Sequence, residues 1–256
     1  MKTFAVIPAR NEARTIRQVA EGALASADQV IVVDDGSDDG TSAALQELPV
    51  RIIRNEQSGG KAAALARGFA VALEENADWV VTLDGDGQHD PADIPRLLDA
   101  ARHYPDHLVL GARLRQRHRQ PGIRKFANRF ADFWISWASG QRVPDSQTGY
   151  RAYPRALLEA VQPSTARRHG FVFETAMLID GARRGFPCVA VAIDSVYHAD
   201  ARPSYFKPGK DVWEIFWFVF WRILLSALYL PGLLRMLVRS ARLHQPEIRE
   251  DRVDTV

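Results

Sequence analysis

The chain has 256 residues, 46% of them hydrophobic and 25% charged, with a formal charge of +2. That length buries a substantial core in one large domain or a domain with an appendage, and so small a net charge gives no argument for nucleic acid as a partner. The single cysteine, Cys188 in the apolar run FPCVAVAI, excludes an internal disulfide and reads as a buried structural thiol in a reducing compartment.

In chain order, the N-terminal MKTFAVIPAR has an apolar stretch too short for a signal peptide, so the chain is expected in the cytosol or on the cytosolic face of a membrane. Strands are predicted at 3–8, 29–34, 50–54, 79–84 and 107–112, with helices over roughly 12–26, 40–48, 60–76 and 91–103. Continuous apolar strands spaced by helices imply βαβ units and a mostly parallel sheet covered on both faces. Asn76 closes the helix that starts near Lys61, and Asp90-Pro91 reads as an N-cap followed by proline at N1. Between Arg113 and Arg129 lie six Arg and one Lys with no acid, which is either an anion-facing surface or a solvated basic loop and helix. RKFANRFADFWISWASG then places Phe126, Phe130, Phe133 or Trp134, and Trp137 on one helical stripe. DSQTGYRAY reads as a loop entering a strand, FETAMLIDGARRG as an amphipathic helix stopped at Gly185, and CVAVAIDSVYH as another strand.

The boundary is drawn after residue 204, with 205–256 an aromatic, basic helical segment. The window from Ile215 to Leu234 is long enough to span a membrane, but Arg222 lies inside it and Pro231 interrupts its end. An arginine at a span's centre costs about 2.5–3.5 kcal/mol against roughly 0.3–0.6 gained per large aliphatic residue. Two shorter helices in the membrane interface fit better, with Trp213, Trp217, Trp221 and Tyr229 at headgroup depth and Lys207, Lys210, Arg222 and Arg235 on lipid phosphates. A true span and an oligomer interface are the competing readings.

Open parallel sheets bind ligands at the carboxyl ends of their strands. There the chain places PARNE, DDGSDDGT and DGDGQHD. Asp84 and Asp86, at i and i+2, can point to one side, and Gln88 adds a neutral oxygen, a donor set suited to a hard divalent cation shared with substrate phosphates. An EF-hand fails because Gln88, His89 and Pro95 stand where an acid, Gly and Glu are needed. NEQSGGKA is not a Walker A loop, and PARNEA replaces the glycine-rich turn of a dinucleotide fold. A phosphotransferase using Asp84 as nucleophile survives as a rival, although such pairs usually follow the first strand. Asp35 is assigned to ligand contact with a base or ribose, and Ser37, Asp38 and Asp39 to capping. Lys61, at a Gly-Gly turn heading a helix, can meet an anion.

Taken together, VIPARNE, VVDDGSDDGT, GGKAAALARGF, LDGDGQHDP, GAR and DSQTGYRAY resemble, in order and spacing, the family 2 glycosyltransferases, most closely the polyprenyl-phosphate (dolichyl-phosphate mannosyltransferase-like) branch. The resemblance covers roughly residues 3 to 200. It implies a GT-A fold, a nucleotide-diphosphate sugar donor, Mg²⁺ or Mn²⁺, and inversion at the anomeric carbon. Pro8, Ala9, Arg10, Glu12 and Asp35 would then surround the nucleotide with Lys61 nearby, while Asp84, Asp86 and Gln88 face metal and diphosphate. A lipid phosphate acceptor is already an anion and needs positioning rather than a base. Arg113, Arg124 and Arg151 are candidates to hold it, with Gln147 on the acceptor side. A hydroxyl acceptor would need a base, and Asp145 is the best placed by resemblance. The tail departs from the minimal single-domain synthases, which leaves polyprenyl phosphate and another amphiphile, such as a lipid-linked pigment, as acceptors. A membrane-bound nucleotide-sugar binding module without turnover is the second rival.

Overall fold

A computed structural model describes residues 1–114, 122–161, 170–194 and 208–245, without the side chains of 122–127, 170–171, 208–212 and 227. Strands β1 (Thr3–Ala9), β2 (Gln29–Asp34), β3 (Arg51–Arg54), β4 (Trp79–Thr82), β5 (Leu108–Ala112), β6 (Arg151–Pro154), β7 (Cys188–Ala192) and β8 (Leu243–His244) form one sheet in the order β3-β2-β1-β4-β6-β5-β7-β8. Its strands pair in parallel except β6, which runs antiparallel between β4 and β5. The expected mostly parallel α/β sheet is therefore present, with one reversed strand at its centre.

Strand alternation divides the core. Phe4 and Val6 of β1 face a cluster with helices α2 (Lys61–Glu74), α4 (Gly122–Ser139), α5 (Arg155–Val161) and α6 (Gly170–Arg183). Ala5 and Ile7 face α1 (Ile16–Leu24) and α3 (Ile94–His103) on the other side. Helix α2 lies so close to β1 that a Cβ on Gly68 would stand 2.4 Å from Val6 Cγ1. Asn76, at φ 61°, ends the α2 turn as expected, and Asp90 accepts the Ala92 N–H at 2.9 Å ahead of α3.

Three expectations change. Strand β4 ends at Thr82, so Asp84 and Asp86 lie in the following turn rather than on the strand. The helix expected over 40–48 is only a 3₁₀ turn at Ala43–Leu45. Helix α6 is buried throughout 172–181 instead of amphipathic, since α2, α4, α5 and the later helix α7 (Pro208–Leu225) pack around it.

Helix α7 (Pro208–Leu225) turns Ile215, Val219 and Ile223 into the same core as α4 and α6. Its other side exposes Trp213, Trp217 and Trp221, and α8 (Leu230–Val238) exposes Leu234, Leu237 and Val238. The two helices meet at a bend of 113°, and no single helix among the described residues is long and apolar enough to cross a membrane. Arg222, expected on lipid phosphates, instead pairs with buried Asp180 and lies 5.6 Å from the Phe218 ring. Its inward turn follows from the acid that α6 presents beneath it. Lys207 lies outside the described residues, as does the Lys210 side chain.

Candidate active site

Asp35 follows β2 and is held by the end of β1, its N–H donating to Ala9 O at 2.8 Å. The side chain is buried and accepts four hydrogen bonds: Asn55 Nδ2 at 2.8 Å, Gly59 N at 2.9 Å, Ser58 Oγ at 2.7 Å and Gly60 N at 2.8 Å. Burial alone would raise its pKa, but these donors outweigh it and lower it. Arg10 Nη1 donates to Ser58 Oγ at 2.8 Å, which links the β1 loop to the same network. Ser37 and Asp39, expected to cap a helix, tie down that loop together with Thr41. Ser37 Oγ accepts from Asn11 N, Thr41 Oγ1 from Glu12 N and Asp39 Oδ2 from Ala13 N, each near 3 Å. Pro8, Ala9, Arg10 and Glu12 thus border one edge of the sheet with Asp35.

In the β4 turn, Lys61 Nζ lies 2.6 Å from Asp84 Oδ1 and 3.3 Å from Glu174 Oε1 of α6. Burial works against the Lys61 ammonium, but Asp84 and then Glu174 outweigh it and raise its pKa. The Asp84 carboxyl, which burial would raise, is lowered chiefly by Lys61. His89 is buried, and its Nδ1 accepts the Asp84 N–H at 3.3 Å, which places its proton on Nε2. Burial, only partly opposed by Asp84, pushes its pKa down to about 4, so the ring is neutral at physiological pH. Tyr150 packs on it with ring centroids 5.1 Å apart. Asp86 Oδ1 accepts Gln88 N at 3.0 Å, tightening the turn. A Cβ on Gly149 would lie 2.9 Å from Lys61 Nζ, 3.0 Å from Asp84 Oδ2 and 3.1 Å from Glu174 Oε1, so only glycine fits over this cluster.

The third part follows β5. Asp145 accepts Arg113 Nε at 2.9 Å on Oδ2 and Nη2 at 2.9 Å on Oδ1, with the Arg113 N–H adding a third bond at 3.0 Å. Arg113 is close enough to act electrostatically on both Asp84 and His89, and Asp145 acts on His89. Gln147 is half-buried and donates to Ser146 Oγ at 3.1 Å. Arg151 does not reach this surface. It is 1% exposed and donates to Thr148 O at 2.8 Å, Glu174 O at 2.7 Å and Ser146 O at 2.9 Å. It therefore pins the 146–148 loop to α6, and its expected phosphate contact is corrected to a structural role. The Arg124 side chain lies outside the described residues.

The turn's donor set suits a divalent cation. Asp84 and Asp86 present half-buried carboxylate oxygens, and a side-chain cation already rests on Asp84. A separate cluster, Asp99, His103 and His244, lies at the β8 edge of the sheet. It is explained by the 2.9 Å hydrogen bond from His244 Nε2 to Asp99 Oδ2 and is not the center read from the sequence. Two site residues escaped sequence reading. Glu174 sits in an apolar helix with no motif around it, and His89 reads as an ordinary turn residue.

A sheet of this order, with acids and a lysine gathered at the carboxyl ends of β1, β2 and β4, is the GT-A architecture of nucleotide-sugar transferases. The sequence model of Glycosyl transferase family 2 matches residues 4–161. The chain belongs to this family and is a glycosyltransferase. It is similar to the undecaprenyl-phosphate mannosyltransferase of Micrococcus luteus, 32% identical over 212 residues that cover 77% of this chain and 84% of that protein. It is also similar to the polyprenol monophosphomannose synthase of Mycolicibacterium smegmatis, 31% identical over 75% of this chain and 76% of that one. Glucosyl-3-phosphoglycerate synthase from Mycobacterium tuberculosis, in complex with Mg²⁺ and UDP, shares the fold with a TM-score of 0.68 at 22% identity, covering 86% and 79% of the two chains. Family membership sets aside the aspartyl-phosphate and non-catalytic readings.

Proposed function

We propose that the chain transfers a sugar, with inversion, from a nucleotide-diphosphate sugar to a polyprenyl phosphate at the cytosolic surface of a membrane. The observation that carries the lipid acceptor is the exposed apolar face of α4, α7 and α8, on which Phe130 and Phe133 join the outward tryptophans of α7. Helix α4 follows the basic stretch that begins at Arg113, so anion-binding and lipid-facing chemistry adjoin along the chain. The names of the relatives support the same acceptor class.

Pro8, Ala9, Arg10, Glu12 and Asp35 would receive the nucleotide, whose base or ribose donor replaces the Ser58 hydroxyl on Asp35. Asp84, Asp86 and Gln88 would hold Mg²⁺ or Mn²⁺ with the diphosphate. When bound, the cation supplies Lewis-acid stabilisation of the charge that develops on the leaving nucleoside diphosphate. Lys61 adds a fixed positive charge beside it. An acceptor phosphate oxygen bonds to the anomeric carbon from the face opposite the departing diphosphate oxygen, and no proton need be removed. Arg113 and Arg124 would hold that phosphate, with Asp145 fixing the Arg113 guanidinium by two-point contact. The hydroxyl-acceptor alternative needs Asp145 as a base, but both its oxygens are already engaged by Arg113.

Incubating the purified enzyme with UDP- and GDP-sugars, and with either polyprenyl phosphate or polyprenol, tests this reading. Sugar should pass to the phosphate alone, and Asp145→Asn should raise acceptor KM while leaving kcat within about tenfold, the size of a lost charge-assisted contact. Transfer to polyprenol, with Asp145→Asn losing several orders of magnitude, would establish a hydroxyl acceptor instead.

A further inference from the structure

We propose that Glu174 is a positioning residue that keeps the Lys61 ammonium in the donor site when Asp84 turns to the divalent cation. The inference rests on the reading that Asp84 is a metal ligand. It adds a residue that lies outside the region matched by the family model, which ends at residue 161.

Glu174 is 4% exposed, and its Oε1 lies 3.3 Å from the Lys61 ammonium, with the buried Arg151 guanidinium also close enough to act on it by charge. A carboxylate buried that deeply is costly unless something repays its desolvation. Its position is built rather than incidental. Arg151 takes the Glu174 carbonyl at 2.7 Å and the Ser146 and Thr148 carbonyls with the same guanidinium. The backbone of Gly149 closes over the point where Lys61, Asp84 and Glu174 converge. One ammonium is thus shared between two carboxylates of different accessibility. Asp84 is about a third exposed and stands in the turn with Asp86 and Gln88, while the Glu174 side chain is 5% exposed beneath it.

The consequence is electrostatic. A divalent cation on Asp84 neutralises the carboxylate's charge and repels the neighbouring ammonium, so binding the cation loosens Lys61 from Asp84. Without a second acid, the lysine either competes for Asp84 and opposes the cation, or leaves the pocket. Glu174 removes that conflict by holding Lys61 from below, where it stays beside the diphosphate.

The test is a double-mutant cycle on Mn²⁺ affinity, measured by calorimetry on the full chain without donor. Glu174→Gln should raise the Mn²⁺ Kd about tenfold, Lys61→Met should lower it, and Glu174→Gln in the Lys61→Met background should change it by less than about threefold. Glu174→Asp, which keeps the charge, should recover most of the loss and serves if the glutamine variant folds poorly. In steady state, Glu174→Gln should raise donor KM more than it lowers kcat. An equal effect of Glu174→Gln with and without Lys61 overturns the proposal, because Glu174 would then act by its own charge. Unchanged Mn²⁺ affinity in Asp84→Asn with Asp86→Ala would instead overturn the metal assignment on which it rests.

Discussion

Arg151 gives its guanidinium to three backbone carbonyls, whereas Arg113 gives its own to one carboxylate. Both stand in or beside polar motifs, and nothing in residue type separates a ligand-binding arginine from a loop-pinning one. Burial decides: at 1% exposure Arg151 cannot meet a substrate. Cys188, by contrast, needed only its apolar neighbours to be read correctly. It is buried, with Gln141 Nε2 3.2 Å from its sulfur, and burial pushes its pKa from 9.0 up to about 12. Because the folded value lies above the unfolded one, its contribution is fully present below pH 9.0 and is lost as pH rises toward about 12. A thiol reagent at mildly alkaline pH should therefore leave the native protein unlabelled and add one equivalent in denaturant. Rapid labelling of the native protein would refute the buried thiol.

Among the elements, those with a strong repeating pattern were legible and those governed by partners were not. β1, β2 and β5 and helix α2 lie close to where their apolar patterns place them. The 40–48 segment forms only a 3₁₀ turn, and Asp39, expected as a cap, divides its carboxylate between the Thr41 N–H and the Ala13 N–H of the β1–α1 loop. Helix α6 reads as amphipathic because Glu174 and Asp180 are charged, yet both are buried on ions from other elements. At the α2–β1 contact, Gly68→Ala pits two magnitudes against each other. Replacing a mid-helix glycine gains up to about 1 kcal/mol, whereas forcing a methyl against Val6 costs about 1–3 kcal/mol. The denaturation midpoint should fall; a higher midpoint would mean that the helix shifts freely off the strand.

For the whole molecule, α7 has two opposed faces, and this changes how its role is tested. Removing 205–256 would strip Ile215, Val219 and Ile223 from the core, so loss of membrane binding would be confounded with unfolding. Changing outward Trp213, Trp217 and Trp221 to alanine leaves that core intact. Aromatic side chains at headgroup depth anchor interfacial helices, so vesicle co-sedimentation should drop about tenfold or more while nucleotide binding holds. Unchanged sedimentation would remove the anchoring role, and a loss of self-association instead would assign this face to an oligomer.

What the sequence determined by itself was the order of strands and helices, the family, and the loops at the sheet's carboxyl edge, because these follow from local periodicity and short motifs. Which side chains meet there depended on tertiary structure. The buried α6 carries Glu174, 113 positions further along the chain, into contact with Lys61, and only the packing shows Asp84 sharing its lysine with Glu174 and Asp145 holding Arg113. Burial and partner choice are properties of the packed chain, and no local pattern encodes them.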